Sequence, residues 1–172
     1  MSDARIEKKA SESVVTMTEL VLPQHTNQLG NLLGGQLMHW IDICAALSAS
    51  RHSGRICVTA SLDRLDFHQP IKLGEVVTLV AIVNRAFRTS MEVGVRVTAE
   101  RFSSDASSKH TNSAYLTFVS VDADGKPVPT FPVVPDSEEQ ERRYREALER
   151  RQYRLGKAGD ESGREAKNRD RA

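Results

Sequence analysis

The chain has few cysteines and aromatic residues, no excess of charge of either sign and no long apolar run. Of its 172 residues only two are cysteines, and the formal net charge is +1. Two cysteines in apolar segments, without companion ligands, indicate neither a disulfide framework nor a zinc site. A charge near zero gives no electrostatic reason to expect nucleic acid or an anionic membrane as a partner.

The apolar segments are too short for a membrane protein. None approaches the ~20 residues that a helix needs to cross a bilayer, and residues 1–9 are mostly polar, without the apolar core of a signal peptide. We therefore expect a cytoplasmic protein with no membrane partner. The length is that of one ordinary domain with enough core to fold.

What the sequence does contain is one helical segment that is apolar on almost every side. It follows a glycine-containing loop and runs from about Gly35 to Ser50, with a single carboxylate, Asp42. A helix without a polar face is a buried helix, and an acid is rarely buried without a partner or a task. Asp42 is therefore a candidate functional residue. The alternative is a structural acid that caps a neighbouring loop.

Extended segments precede and follow this helix. They lie at residues 14–22, 57–67, 75–86, 91–100 and 113–121. The strict alternation after Met91 indicates a strand with one buried face, and a change of apolar phase predicts a bulge near Asp63 and Arg64. The order predicts an α+β hotdog fold, in which a curved antiparallel sheet of five to six strands wraps a long central helix.

The two ends of the chain differ from this middle part in composition. We predict a flexible arm over residues 1–12, the hotdog domain over 13–135, a C-terminal helix over 136–155 and a disordered tail over 156–172. Ser137 followed by Gln140 is typical of a capping box at the start of that helix. Because the central helix needs cover on all sides, we expect a second copy of the sheet to complete its burial.

Several segments, in order, carry a resemblance to a known family. They are P-x-x-x-N-x-x-G-x-x-x-G-G-x-x-x-x-W-I-D, S-R-H, V-T-A-S-L-D-R-L-D-F, P-I-x-x-G-E and R-x-F-R-T-S-M-E-V. Together they cover roughly residues 14–155 and resemble the hotdog-fold acyl-CoA thioesterase (acyl-CoA hydrolase) family. The resemblance implies hydrolysis of a fatty or short-chain acyl-CoA to free CoA and a carboxylic acid. CoA would be part of the substrate, with no separate cofactor and no metal.

In that family the active site lies at a dimer interface, and the resemblance assigns two residues to the hydrolysis. They are Asn27, in the loop before the helix, and Asp42, on the helix of the partner subunit. Asp42 would accept a proton from the attacking water or attack directly, and Asn27 would hold the water or donate to the oxyanion. Gly34 and Gly35 would let the thioester oxygen approach the unsatisfied N–H groups of the helix start. An ordinary turn residue is the alternative for Asn27.

The same resemblance places the CoA contacts on two strands and on the last helix. Residues expected beside the pantetheine arm are Ala60, Ser61, Leu62, Thr89, Ser90 and Met91. Candidates for the ribose and phosphate end are Arg88 and, on the last helix, Arg150, Arg151 or Arg154. The arginine fork suits phosphate, and the alternative for the helix arginines is a solvated face with glutamate partners. The residues expected along an acyl tunnel are Leu32, Leu37 and Met38.

The resemblance leaves one departure and two other functions to weigh. The departure is Leu33, where many relatives carry a histidine. A non-catalytic acyl-CoA sensor or scaffold is the alternative function, and retention of both Asn27 and Asp42 argues against it. A hydratase would call for a histidine acid–base pair, and neither His25 nor His52 stands where that chemistry expects one. The family also implies a homodimer as the minimal active unit and a homohexamer built as a trimer of dimers.

Overall fold

The computed structural model describes residues 6–63, 65, 69–101 and 109–169. Its strands are β1 (Lys8–Lys9), β2 (Val15–Leu20), β3 (Ile56–Leu62), β4 (Glu75–Ala86), β5 (Ser90–Arg101), β6 (Lys109–Val121) and β7 (Val133–Val134). Its long helices are α1 (Gly34–Ser53) and α2 (Glu138–Arg169). Five strands form one antiparallel sheet in the order β2-β4-β5-β6-β3, which confirms the predicted hotdog architecture.

The core lies between this sheet and α1. Met91 and Val93 on β5 and Phe118 on β6 are fully buried, as are Ile41 and Cys44 on α1. Each large apolar side chain removed from water in this way contributes roughly 1.5–3 kcal/mol. This layer fixes α1 against the sheet and therefore fixes the position of its two ends. Cys44 and Cys57 are both free thiols, as predicted.

One face of α1 stays exposed in the single chain. Met38 is 41% exposed and Leu47 is 52% exposed. The neighbouring edge strand β3 adds Ile56 and Val58, which are 66% and 46% exposed. A single sheet thus leaves part of α1 uncovered within one chain, and its burial by a second copy stays a prediction. Contiguous apolar surface of this kind marks a site of association.

The N-terminal segment is attached to the domain from residue 8 onward. β1 pairs in parallel with β7, and a 3-10 helix, Ala10–Ser13, follows it with Ala10 and Ser13 buried. Ser13 accepts a hydrogen bond from the backbone N–H of Val83 at 2.9 Å, and its carbonyl accepts one from Ser48 at 2.8 Å. The prediction of a loose arm is therefore wrong for residues 8–12, because two small residues fit between α1 and β4 with their polar groups paired.

The irregularity of β3 lies closer to the middle of the strand than predicted. Thr59 pairs with Phe118 and Ser61 with Thr117, which leaves Ala60 unpaired in the ladder. The bulge is therefore at Ala60 and not near Asp63; the other predicted position, Arg64, lies outside the described residues. The apolar phase that suggested the later position rests on Leu65, which lies beyond the end of β3 at Leu62, and on Phe67, which lies outside the described residues.

The C-terminal helix is longer than the sequence predicts. Ser137 caps it by accepting from the backbone N–H of Gln140 at 3.3 Å, while the Gln140 side chain accepts from the N–H of Asp136 rather than of Ser137. α2 then continues to Arg169, past the predicted end near 155 and through most of the predicted tail. The sequence argument failed because a lack of apolar residues argues against packing into a core, not against the formation of a helix. Within the described ranges no helix is both long and apolar enough to span a membrane.

Candidate active site

The loop that leads into α1 is built around the Asn27 side chain. Asn27 Oδ1 accepts hydrogen bonds from the backbone N–H groups of Leu29 at 2.9 Å and Asn31 at 3.2 Å. The Asn27 backbone N–H in turn donates to the Asn31 carbonyl at 2.8 Å. This is an asparagine-centred turn, so the turn role that was weighed as the alternative is real. It leaves the Nδ2 amide of Asn27 as the group available for a ligand.

A cavity of about 390 Å³ lies where this loop meets the start of α1. Asn27, Asn31 and Gln69 contribute its polar groups. The apolar part of its wall comes from Leu32, Leu37, Pro70 and Ile71. Two of the three residues expected along an acyl tunnel, Leu32 and Leu37, therefore line this cavity, whereas Met38 lies on the exposed face of α1.

The first turn of α1 presents backbone N–H groups at the edge of this cavity. The helix begins at Gly34 after Leu33, and among the described residues no side chain caps it. Gly35 is exposed, and a Cβ there would have nothing within 4 Å. The first N–H groups of a helix have no partner within the helix and stand at its positive end. Gly34 and Gly35 thus provide an open approach for an anionic oxygen.

Asp42 lies further along α1, at the boundary with β3. Eight residues separate it from Gly34, about 12 Å at the usual rise of a helix. It is half-buried, and its Oδ1 accepts a hydrogen bond from Thr59 Oγ1 at 2.7 Å. No contact in the described structure joins Asn27 to Asp42. The structure therefore keeps the two candidate catalytic residues at separate points of one chain.

Thr59 is a site residue that the sequence argument missed. It lies on β3 within the V-T-A-S segment, immediately before the residues that were expected to contact pantetheine. A threonine in a strand is unremarkable by itself, because β-branched residues are common there. The available signal was its place beside Ala60, and only the fold shows that it faces the carboxylate of Asp42.

The expected pantetheine contacts on β3 lie on an open edge. β3 is the last strand of the sheet and pairs with β6 alone, so the other side of its backbone has no partner strand among the described residues. Ala60 is exposed at the bulge, Ser61 is half-buried and Leu62 is 39% exposed. Backbone N–H and C=O groups on this edge are available to another chain or to the amides of a ligand.

The second group of expected contacts surrounds the turn between β4 and β5. The turn closes through Phe87 N–H, which donates to the Ser90 carbonyl at 2.7 Å, and Arg88 is exposed at its tip. The Thr89 carbonyl accepts from a backbone N–H of β6. Met91 has a fully buried side chain, so it belongs to the core and would present only backbone to a ligand.

The arginines of α2 divide into two groups. Arg150 and Arg154 each meet a carboxylate of the sheet, Glu92 at 2.7 Å and Asp63 at 2.6 Å, respectively. Arg151 instead donates to Ser90 Oγ at 3.2 Å. The alternative of acidic partners is therefore correct for the first two. Arg150 also meets Glu146 one turn away on the helix at 3.6 Å, whereas Asp63, the partner of Arg154, directly follows β3. Arg151 remains at the turn that carries Arg88.

Other reactive side chains are engaged elsewhere. Burial raises the pKa of the Cys44 thiol to about 11, which keeps it protonated and non-nucleophilic. His25 Nδ1 accepts from the backbone N–H of Leu22 at 3.2 Å, and His52 Nε2 bonds the Phe131 carbonyl at 2.8 Å. Both histidines are thus held by backbone groups, and neither forms the acid–base pair of a hydratase.

The chain is similar to known proteins of one family. Residues 29–101 match the thioesterase superfamily. The chain is 42% identical to acyl-coenzyme A thioesterase 11 of Mus musculus over 146 residues, which are 85% of this chain and 25% of the relative. It is also 42% identical to an uncharacterized acyl-CoA thioester hydrolase of Bacillus subtilis over 139 residues, 81% of this chain and 80% of the relative. The chain thus spans about a quarter of the mouse protein.

Solved structures show the same relationship. An acyl-CoA hydrolase from Staphylococcus aureus, in complex with butyryl-CoA, CoA and CoA disulfide, is 35% identical with a TM-score of 0.84 over 94% of this chain and 99% of its own. Structures of alanine variants of that hydrolase at an aspartate, an asparagine and a threonine are equally similar folds. A hexameric hotdog-fold thioesterase of Campylobacter jejuni is 34% identical with a TM-score of 0.63 over 73% of this chain and 92% of its own. By sequence and fold, the chain belongs to the hotdog-fold acyl-CoA thioesterase family.

Proposed function

We propose that this protein is an acyl-CoA thioesterase, which hydrolyses the thioester of a fatty or short-chain acyl-CoA to free CoA and a carboxylic acid. The observation that carries the proposal is the hydrogen bond from Thr59 to Asp42, because it orients a half-buried carboxylate beside the exposed edge of β3. The names of the relatives, acyl-CoA thioesterase and acyl-CoA thioester hydrolase, point to the same reaction.

Asp42 acts as the general base in this proposal. One Asp42 oxygen is held by Thr59, and the other, which has no hydrogen-bond partner among the described residues, accepts a proton from water. The water oxygen then attacks the thioester carbonyl carbon, the C–S bond breaks, and the CoA thiolate takes up a proton. General bases of this kind contribute about 10²–10⁴-fold to rate. The reaction consumes water alone and needs no cofactor.

Asn27 and the start of α1 stabilise the developing oxyanion. The side-chain oxygen of Asn27, Oδ1, already accepts hydrogen bonds from two backbone N–H groups. The Nδ2 amide of the same side chain is therefore the group that donates. The N–H groups of Gly34 and Gly35 stand beside it at the positive end of α1. A donor of this type contributes about 3 kcal/mol to transition-state stabilisation.

The complete site requires two chains. Asn27 and Asp42 do not meet within one chain, and Asp42 lies on the side of α1 that borders the exposed apolar face. A two-fold axis through that face would bring Asp42 of one chain to Asn27 of the other and create two identical sites. We therefore propose a homodimer as the minimal active unit, assembled further into a hexamer as a trimer of dimers; the Campylobacter jejuni thioesterase is itself hexameric.

The Staphylococcus aureus variants support the choice of residues. In that hydrolase the replaced asparagine and aspartate lie 15 positions apart, and the replaced threonine lies 17 positions after the aspartate. Asn27, Asp42 and Thr59 have the same types and the same separations. The three residues singled out in that hydrolase thus have direct counterparts here.

CoA recognition is assigned to the edge of β3 and to the β4–β5 turn. The open backbone of Ala60 to Leu62 would pair with the pantetheine amides. Arg88 and Arg151 would meet the phosphates, because both stand at the turn and neither is bonded to a carboxylate among the described contacts.

The decisive experiment is thiol release from a panel of acyl-CoAs of different chain length. The wild-type protein should release CoA, and Asp42→Asn and Asn27→Ala should each reduce kcat by about 100-fold or more. If both variants turned over acyl-CoA as fast as the wild type, the assignment of Asp42 and Asn27 to the active site would be wrong. Binding of every acyl-CoA without thiol release would instead favour the sensor function.

A further inference from the structure

A buried charge network joins α2 to the sheet. The Glu92 side chain on β5 is fully buried and accepts two hydrogen bonds from Arg150, from Nε at 3.1 Å and from Nη2 at 2.7 Å. It also accepts from Asn84 Nδ2 on β4 at 3.0 Å. Arg154 stands 3.8 Å from the same carboxylate and bonds Asp63 at 2.6 Å. One carboxylate thus draws β4, β5, α2 and the end of β3 together.

The space for this network is provided by Gly94. A Cβ at Gly94 would lie 2.7 Å from Asn84 Nδ2 and 3.1 Å from Asn84 Oδ1. Arg150 fills the other side by stacking on the Tyr115 ring at 3.8 Å. The Glu92 carboxylate is therefore enclosed by donors and by an aromatic ring, as an ionised group must be once it is removed from water.

A buried ion pair is seldom the most stabilising contact between a helix and a sheet. Taking an ion pair out of water costs several kcal/mol per ion, and apolar residues of similar volume often stabilise as well or better. A fully hydrogen-bonded pair does restrict the relative orientation of the two elements that it joins, because a planar guanidinium binds a carboxylate in few geometries. The network therefore sets the rotation and height of α2 on the sheet more than it adds to stability.

The residue whose position depends most on that rotation is Arg151. It follows Arg150 directly, stacks on the Phe87 ring at 4.1 Å and donates to Ser90 Oγ at 3.2 Å. Phe87 and Ser90, its two partners, flank Arg88 and Thr89 in the β4–β5 turn. Asp63, at the other end of the network, directly follows Leu62 on β3. The network thus touches each of the three segments assigned above to CoA.

We propose that Glu92 is a positioning residue for CoA recognition, which acts through Arg150 to place Arg151 at the β4–β5 turn, where it binds a phosphate of the nucleotide. The proposal rests on the proposed function and adds that Glu92 sets the position of the helix arginine assigned there to CoA. Glu92 itself touches neither substrate nor reacting atoms. Arg150 and Arg154 are internal ties of the fold, and Arg151 is the helix cation that the nucleotide meets.

The test compares two substrates with the same acyl group, one a CoA thioester and the other a pantetheine thioester that lacks the nucleotide. In Glu92→Gln, KM for the CoA thioester should rise about tenfold, the effect of one misplaced charge-assisted contact. Its kcat should stay within about twofold, and so should kcat/KM for the pantetheine thioester. Arg151→Gln, which leaves Glu92 and Arg150 intact, should show the same split between the two substrates.

Arg142→Gln is the matched control, because Arg142 is an exposed arginine of α2 paired only with Glu146 on the same helix among the described contacts. It should leave KM for both substrates unchanged. Equal losses with both substrates in Glu92→Gln would show a structural role and overturn the proposal, as would an unchanged KM in Arg151→Gln. If Glu92→Gln does not fold, Arg151→Gln alone decides. Turnover of both thioesters by the wild type tests the proposed function separately, since its absence would overturn that function whatever the variants do.

Discussion

Thr59 donates a hydrogen bond to Asp42 at 2.7 Å, and this contact joins the edge strand β3 to the central helix α1. It occupies one oxygen of a half-buried carboxylate, and no residue of the described part of the chain bonds the other. It also lies next to the apolar face that a second chain would cover, with Ile56 on the same strand 66% exposed. The orientation of the base and the surface for association are thus set by the same pair of elements.

Replacement of Thr59 by valine should separate orientation from packing. Valine fills the same volume but cannot donate to Asp42, so kcat should fall about tenfold or more while KM changes little. Thr59→Ser keeps the hydroxyl and should retain most of the activity. Steady-state kinetics on the preferred acyl-CoA measure both, and equal losses in the two variants would contradict an orienting role for the hydroxyl.

Asn27→Asp should preserve the loop and remove the catalytic donor. A carboxylate oxygen can still accept from the N–H groups of Leu29 and Asn31, so the thermal midpoint should stay within a few degrees of wild type. Loss of the Nδ2 donor should reduce kcat by about 100-fold. Differential scanning calorimetry and kinetics on the same sample check the two parts. An Asn27→Asp enzyme with normal kcat would exclude Asn27 as the donor.

Two inactive variants should complement each other if each site draws on both chains. In a random mixture of Asn27→Asp and Asp42→Asn chains, half of the dimers are mixed and each mixed dimer has one intact site. Activity should therefore recover to about a quarter of the wild-type value after subunit exchange. Exchange can be followed by mass spectrometry of the mixed species. Proven exchange without recovery would mean that both residues serve one site within a chain.

Acidification should weaken the fold through His52. His52 is 1% exposed, and its Nε2 bonds the Phe131 carbonyl. Its Nδ1 is buried and has no hydrogen-bond partner within the described part of the chain. Burial lowers the pKa of His52 in the folded protein, so below about pH 6.5, the ordinary imidazole value, the unfolded chain binds the additional proton. The free energy of unfolding should therefore fall as the pH falls through that value. The fall should continue until the lowered pKa of the folded state is reached.

Denaturant titrations at about pH 7.5 and about pH 5.5 measure this dependence. His52→Gln, which takes up no proton in this range, should lose less stability between the two conditions than wild type does. The same loss in wild type and variant would show that other groups carry the acid sensitivity.

Gly94→Ala should destabilise the protein through Asn84. The added Cβ would stand 2.7 Å from Asn84 Nδ2, and a clash in a packed layer costs about 1–3 kcal/mol. The same change in an Asn84→Ala background should cost less, since the clashing atoms are gone. A double-mutant cycle on the free energy of unfolding gives the coupling. Strict additivity would show that the close approach is relieved by other means.

Local patterns predicted much of this fold. The limits of β4 were predicted to the residue, because a long apolar segment between Gly74 and Arg85 has few other interpretations. The buried stripe that starts at Met91 followed from simple alternation along β5. These features depend on residues that are close together in the sequence, so the pattern of apolar and polar residues predicts them directly. A cytoplasmic location stays a prediction.

Contacts between distant residues were not predictable in the same way. The sequence shows acids and arginines in plenty, but it does not say that Arg150 meets Glu92, 58 positions earlier. For the same reason Arg150 and Arg154 stood with Arg151 as candidates for the phosphate end, and Thr59 was not identified as a site residue. Charge pairing is decided by the packing of whole elements, so a single sequence carries little information about it.

The attachment of α2 by charge has a consequence for how this sequence can change with time. A helix held by an apolar layer tolerates gradual repacking, whereas a buried carboxylate with dedicated donors does not. Glu92, Arg150 and Asn84 must therefore change together or not at all, and Gly94 is tied to Asn84 by their close approach. In an alignment of relatives, these positions should co-vary as one unit. The exposed arginines of the same helix should vary independently of these positions.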